Sequence, residues 1–259
     1  MTSTYPVKII LVCTDCDYTR ILFHGIKKDI TISKVIMENP VSKKKLIRRR
    51  IRKLGLFRVF GQLLFQAGVL PVMRFLSKSK IRKLIAERSL DISPVPEDLI
   101  AKVSSVNDPS FITMLAGIDP GLIIVNGTRV ISAHTLAHIK CPIINVHVGI
   151  TPLYRGVHGA YWALANNDRR HCGVTVHAID KGIDTGGILQ QDLIEPGPTD
   201  NFITYPYLQF EKAMQLIKAT VPRIMEEKVS FIPAPPGVSK LWYHPTIWQY
   251  ITNRFKGIK

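Results

Sequence analysis

Short apolar runs recur along the chain at intervals that helices can fill. Val7 to Val12, Ile32 to Met37, Leu122 to Val125 and Cys141 to Val146 each read as buried strands, too short for helices and apolar on both faces. Helices are predicted over Tyr18 to Ile26, over Ser110 to Ala116 opening at a serine cap, over Ser132 to His138, over Gly159 to Asn166 and over Tyr207 to Met225. Asp91 to Pro96 is a proline-marked connection, Asp98 to Ser105 a helix-to-strand passage, and Val174 to Ile179 a further strand. Strands alternating with helices predict the α/β class with a doubly wound, mostly parallel sheet. Such sheets bind ligands beyond the carboxyl ends of their strands.

One segment breaks this rhythm. Between Lys43 and Arg88 stand fifteen basic residues and a single acid, Glu87, which supplies +14 of the chain's formal +16. Its centre, Leu56 to Met73, is mostly apolar but interrupted by Arg58, Gln62, Gln66 and Pro71, too broken for a spanning helix. Residues 41–90 therefore read as a basic amphipathic helical insertion. Its cations and apolar turns suit the headgroup region of an anionic membrane, and suit equally a helical hairpin packed on its own domain or a partner subunit. A grip on nucleic acid phosphates is a third use, less expected because a binding module has no need of Asn145, His147 and Asp184 further along the chain.

With 259 residues, 46% of them apolar, the chain can hold one large domain with appendages. Four cysteines form no dense disulfide framework, and the start of the chain lacks a basic-apolar-small signal pattern, so a reducing cytoplasm is expected. Cys13 and Cys16 have no second Cys or His pair beside them; they read as small side chains filling a strand-to-helix turn, with no metal site.

The chemistry gathers later in the chain. On a strand, Asn145 and His147 point to the same side, and Asp184 follows on the glycine-rich turn Gly182-Ile183-Asp184-Thr185-Gly186-Gly187. An amide, an imidazole and a carboxylate suit a carbonyl carbon that becomes tetrahedral while its oxygen turns negative and an attacking amine loses a proton. A lone Asn-x-His is weak, but here Thr151-Pro152-Leu153-Tyr154-Arg155-Gly156, then Gly173-Val174-Thr175-Val176-His177, then Asp180 to Gly186 follow in order.

The run from Ile143 to Leu189 resembles the core of the formyltransferases that use 10-formyltetrahydrofolate, whose motifs come in this order and spacing. The resemblance implies a Rossmann-like formyltransferase fold, with a catalytic domain over 1–230 interrupted by the 41–90 insertion and a C-terminal aromatic tail over 231–259. It implies Asn145, His147 and Asp184 as the catalytic group. Gly127, Thr128, Arg129, Val130 and Ile131, with Asp180 and Gly182, are implied to hold the folate cosubstrate. Tyr154, Arg155, Gly156 and His158 are expected on the acceptor side, while His177 reads as a packed strand residue. Asp184 near His147 should favour the imidazolium, a better oxyanion partner; alternatively His147 is the base, and the residues alone leave both roles open.

Departures from the family narrow the acceptor. Asp15 and Asp17 stand where glycinamide ribonucleotide enzymes carry a phosphate loop, and only about seventy residues follow Leu189, few for the barrel domain of the initiator-tRNA enzymes. The expectation is an N-formyltransferase acting on an amino sugar, nucleotide- or lipid-linked, in surface polysaccharide synthesis. It would be cytoplasmic, peripheral on the inner membrane face through residues 43–88, with a homodimer left open and nucleic acid not expected. Alternatives are a glycinamide ribonucleotide or other small-amine formyltransferase, a 10-formyltetrahydrofolate hydrolase, or a nucleic-acid-binding protein on an inactive core.

Overall fold

The structure is a computed structural model that describes residues 7–259; the first six residues of the expected 1–230 unit lie outside the described residues. A seven-stranded sheet is built from β1 (Ile9–Cys13), β2 (Ile32–Glu38), β3 (Ile100–Val103), β4 (Leu122–Asn126), β5 (Ile143–His147), β7 (Gly173–Ala178) and β8 (Ile188–Leu193), in the order β3-β2-β1-β4-β5-β7-β8. The first five positions run parallel. β7 pairs antiparallel with β5, and β8 with β7, so the sheet is mostly parallel with an antiparallel margin. The apolar runs that predicted strands are buried on both faces: Ile9, Leu11 and Cys13 enter one core cluster, Ile10 and Val12 the other.

Helices cover those faces: α1 (Asp17–Ile26), α6 (Pro109–Ile118), α7 (Ala133–Ala137), α8 (Gly159–Ala165) and α9 (Tyr205–Met225). α9 packs against α1, β7 and β8. The start of α6 differs from expectation, for Asp108 is its cap and accepts the Ser110 N–H at 3.0 Å, with Pro109 opening the first turn. Asp before a proline at the first helical position satisfies a free N–H and pre-sets the backbone, which outranks the serine one step on. β8 was not expected; it carries polar residues from Gln190 to Asp192 and is a strand because it pairs along β7.

Residues 41–90 form four helices, α2 (Lys43–Leu54), α3 (Leu56–Leu64), α4 (Leu70–Leu76) and α5 (Lys78–Glu87). Against the reading of a broken segment, helix runs unbroken from Leu56 to Leu76, 21 residues long and apolar enough to cross a membrane by length and composition. A π turn over Phe65–Val69 lies just before Leu70 and Pro71, where the proline lacks an N–H to donate. One side of this run is nevertheless committed to the protein: Phe65 is fully buried against Phe202 and Tyr250, and buried Gln62 donates to the His244 carbonyl at 2.9 Å.

The tail is structured too. β9 (Leu241–Trp242) pairs with β6 (Arg155–Gly156), and α10 (Ile247–Phe255) opens on a capping box of Thr246 and Gln249 and packs on α3. Trp242 stacks on Trp162 of α8 at 4.6 Å, which uses the aromatic residues of the tail as packing surface.

Candidate active site

β1, β4 and β5 end side by side, and beyond their carboxyl ends lies a cavity of about 1000 Å³ whose walls include Thr14, Asn126, Asn145, His147 and Asp184. Asn145 and His147 project from the same face of β5, as their spacing requires. Asp184 arrives on the turn after β7, held in a left-handed conformation (φ 51°) that Asp tolerates better than most side chains. The carboxylate is fastened from below by the Gly156 N–H, which donates to Oδ2 at 2.9 Å. Gly156 itself sits at φ 93° with the Trp242 carbonyl against its Cα, so only glycine fits there.

His147 is buried, and its Nε2 lies 2.8 Å from the Tyr154 carbonyl oxygen. A carbonyl has no proton to give, so Nε2 carries the N–H and, in the neutral ring, Nδ1 keeps a lone pair. That nitrogen stands 3.4 Å from Asp184 Oδ2. Burial pulls the His147 pKa below its ordinary value, and this outweighs the upward pull of Asp184 and of the Tyr154 carbonyl. Of the two roles the residues left open, this favours the neutral ring and the base, because the cost of burying its charge exceeds what one carboxylate returns. Burial also pushes upward on Asp184, but the positive charge that His147 carries once protonated, together with the Gly156 N–H, holds its carboxyl down at about 2.

His177, read from the sequence as a packed strand residue, belongs to the site. The antiparallel register sets it directly opposite Asn145, where cross-strand side chains share a face. Its Nδ1–H donates to the Ala178 carbonyl at 2.7 Å, leaving Nε2 to accept one N–H of the Asn145 amide at 3.1 Å. The other Asn145 N–H remains available toward the cavity. Asp184 Oδ1 lies 3.6 Å from the same His177 nitrogen.

The remaining expected residues divide. Gly127, Thr128, Arg129, Val130, Ile131, Asp180, Gly182, Gly156 and His158 all line the cavity. Arg129 does so with its charge tied down, since its guanidinium pairs with buried Glu38 and donates to the Asn39 and Ser104 carbonyls. Asp180 Oδ1 accepts the Gly182 N–H at 2.9 Å and the Thr185 hydroxyl at 2.7 Å, which shapes the turn that carries Asp184. Tyr154 and Arg155 are corrected: the Tyr154 hydroxyl donates to Asp168 at 2.9 Å, away from the cavity, and Arg155 donates to the Ile183 carbonyl at 2.9 Å. They position His147 and the Asp184 turn from behind.

Other wall residues had no sequence signal. His244, from the tail, lies 2.9 Å from His158, ring nitrogen to ring nitrogen. Burial lowers His158 to about 4, and burial with the neighbouring His158 lowers His244 to about 3, so this is a neutral donor–acceptor pair. Arg74 of α4 and Lys78 of α5 bring the basic segment to the cavity wall, and neither forms an ion pair among the described residues. Cys13 points into the core, its thiol pushed up to about 12 by burial.

Comparison with known proteins fits this geometry. The family model described as formyl transferase matches residues 70–213, more than half of the chain. The chain belongs to the formyl transferase family. A methionyl-tRNA formyltransferase of Nitratiruptor is 30% identical over 153 residues, 59% of this chain and 47% of that protein. The chain spans about half the length of the curated relatives it matches. Two solved structures share the fold of this family member. A 4-N formyltransferase from Francisella tularensis superposes with a TM-score of 0.54 at 17% identity, covering 90% of this chain and 75% of that one. A phosphoribosylglycinamide formyltransferase from Anaplasma phagocytophilum gives 0.57 at 16% identity, covering 88% and 91%.

Proposed function

We propose that this protein transfers a formyl group from 10-formyltetrahydrofolate to the primary amine of an amino sugar that bears phosphate. The observation that carries the reading is the meeting of the Asn145 amide, the neutral His147 ring and the Asp184 carboxylate on one cavity wall. Val125, Val130, Ile131 and Ile179 give that cavity apolar surface for a flat ring, and the Asp180 to Asp184 turn gives it backbone polar groups.

The residues would act as follows. As the acceptor nitrogen bonds to the formyl carbon, the carbonyl electron pair moves onto oxygen, where the free Asn145 N–H donates to it. His147 Nδ1 takes the proton that the amine sheds, and Asp184 stabilises the imidazolium so formed. When the bond from carbon to the folate nitrogen breaks, His147 returns the proton to that nitrogen and the ring is neutral again. His177 keeps the Asn145 amide facing the right way throughout.

Arg74 and Lys78 support an anionic acceptor, since both stand on the cavity wall without carboxylate partners among the described residues. Thr14 to Asp17 offers no second anion cradle, because Asp17 occupies the first turn of α1 at the cavity. Four free cysteines accord with a cytoplasmic setting. A second reading, transfer to an aminoacylated tRNA, is favoured by the names of the curated relatives and by the basic segment.

The test is a mass-spectrometric screen with 10-formyltetrahydrofolate, offering amino nucleotide-sugars, lipid-phosphate amino sugars, glycinamide ribonucleotide, methionyl-tRNA and no amine at all. The reading expects gain of one formyl group on an amino sugar and loss of that product with Asn145→Ala. Formylation of the tRNA alone, or formate release independent of any amine, would replace it with the corresponding alternative.

A further inference from the structure

The helices that carry Arg74 and Lys78 into the cavity wall turn a second surface outward. On α3, Leu56, Phe57, Phe60 and Leu64 follow the spacing of one helical face, and Phe57 is 74% exposed. On α4, Val72, Phe75 and Leu76 do the same, with Phe75 69% exposed. α10 packs beside α3 and adds Ile251 and Phe255, the latter 89% exposed. An apolar surface of this extent is costly in water and marks a contact.

Charge indicates what the contact is. α2 buries none of its residues and holds Lys43, Lys44, Lys45, Arg48 and Arg49 in solvent, with no carboxylate paired to them among the described residues. α5 adds exposed Arg82 and Lys83, the latter paired with Glu87. Apolar side chains flanked by exposed cations match a bilayer, which offers hydrocarbon at the centre and anionic headgroups around it. A second copy of this face would set one cationic segment against another. A nucleic acid would satisfy the cations but leave the aliphatic residues of α3 and α4 in water.

The two surfaces of α4 are joined. Arg74 lines the cavity while Phe75 and Leu76, on the same turn, face outward, and Lys78 and Ile81 continue the wall on α5. We propose that residues 43–88 seat the protein on an anionic lipid bilayer, and that the amine acceptor is carried by a phosphate-bearing lipid that enters past Arg74 and Lys78. The helix Leu56–Leu76 lies along the surface and does not cross it, because Val59, Gln62 and Phe65 dock its other side on the catalytic core. The lipid-borne acceptor rests on the formyl-transfer reading; the docking does not.

The experiment is flotation of the full chain with vesicles of phosphatidylglycerol and phosphatidylcholine, against vesicles of phosphatidylcholine alone. The variant Phe57→Glu/Phe60→Glu/Phe75→Glu, checked by circular dichroism and tetrahydrofolate binding, runs beside it. Wild type should float at least tenfold better with the anionic vesicles, less so at high salt, and the folded variant should stay behind. Failure of wild type to float, flotation of the variant as strong as wild type, or RNA binding that the variant retains in full would each overturn the docking. On vesicles, a polyprenyl-phosphate amino sugar should be formylated at least tenfold faster than its nucleotide-linked counterpart, and the variant should erase that preference. Equal rates on both acceptors in wild type would overturn the lipid-borne acceptor. Flotation and formyl transfer are separate readouts, so loss of one reading is distinguished from loss of the other.

Discussion

Asp184 Oδ2 lies 3.4 Å from His147 Nδ1 and at the same time accepts the Gly156 N–H at 2.9 Å. The carboxylate therefore does not swing toward the imidazole as it protonates; it is already fixed where the positive charge will form. A preset counter-charge of this kind lowers the barrier without reorganisation at the moment of reaction.

Asn145→Ala should remove the oxyanion donor and little else, since Asn145 is only half-buried. kcat should fall by about 10² to 10³, the effect of losing one such donor, with Tm nearly unchanged. Steady-state rates and a thermal melt check both halves.

Asp184→Asn should lower kcat and move the acid limb of its pH profile further down. The sign follows from the charges: Asp184 pulls the His147 pKa up against the larger downward effect of burial, so its removal leaves the ring less basic still. In the wild-type protein that limb should already lie below the ordinary histidine value of about 6.5. A pH series of kcat for the two proteins measures the shift; an upward move of the limb would contradict the assignment of His147 as base.

His177→Ala should cost roughly tenfold in kcat, less than Asn145→Ala, because it frees the amide to turn without deleting it. The double variant should be no slower than Asn145→Ala alone. Additive losses would mean that His177 acts on the reaction by another route.

Acid should loosen the fold through His158 and His244. Both have folded pKa values below those of unfolded histidine, so the unfolded chain binds more protons as pH falls below about 6.5. Stability should decline by about 1.4 kcal/mol per pH unit and histidine between there and about pH 4. Denaturant titrations of wild type and His158→Gln/His244→Gln should converge toward the acid end.

Phe65→Ala should destabilise by about 3 to 5 kcal/mol, the range for emptying a buried aromatic site, because Phe65 is the fully buried anchor between α3, Phe202 and Tyr250. Chemical denaturation measures it, and protease cleavage within residues 41–90 should quicken in parallel.

By itself the sequence determined whatever depends on local pattern: buried strands from runs such as Ile9 to Val12, the shared side of Asn145 and His147, the glycine-flanked turn of Asp184, and the motif order that marks the family. Period, propensity and motif spacing are properties of neighbours along the chain. Tertiary structure decided whatever depends on which strangers meet. Strand register, set by side chains on both partners, brought His177 opposite Asn145. Burial overrode a neighbouring carboxylate to leave His147 neutral, because desolvation is a sum over everything packed around the ring. The docking of Phe65 turned a basic amphipathic segment, whose use its own pattern left open, into a cavity wall on one side and an exposed apolar face on the other.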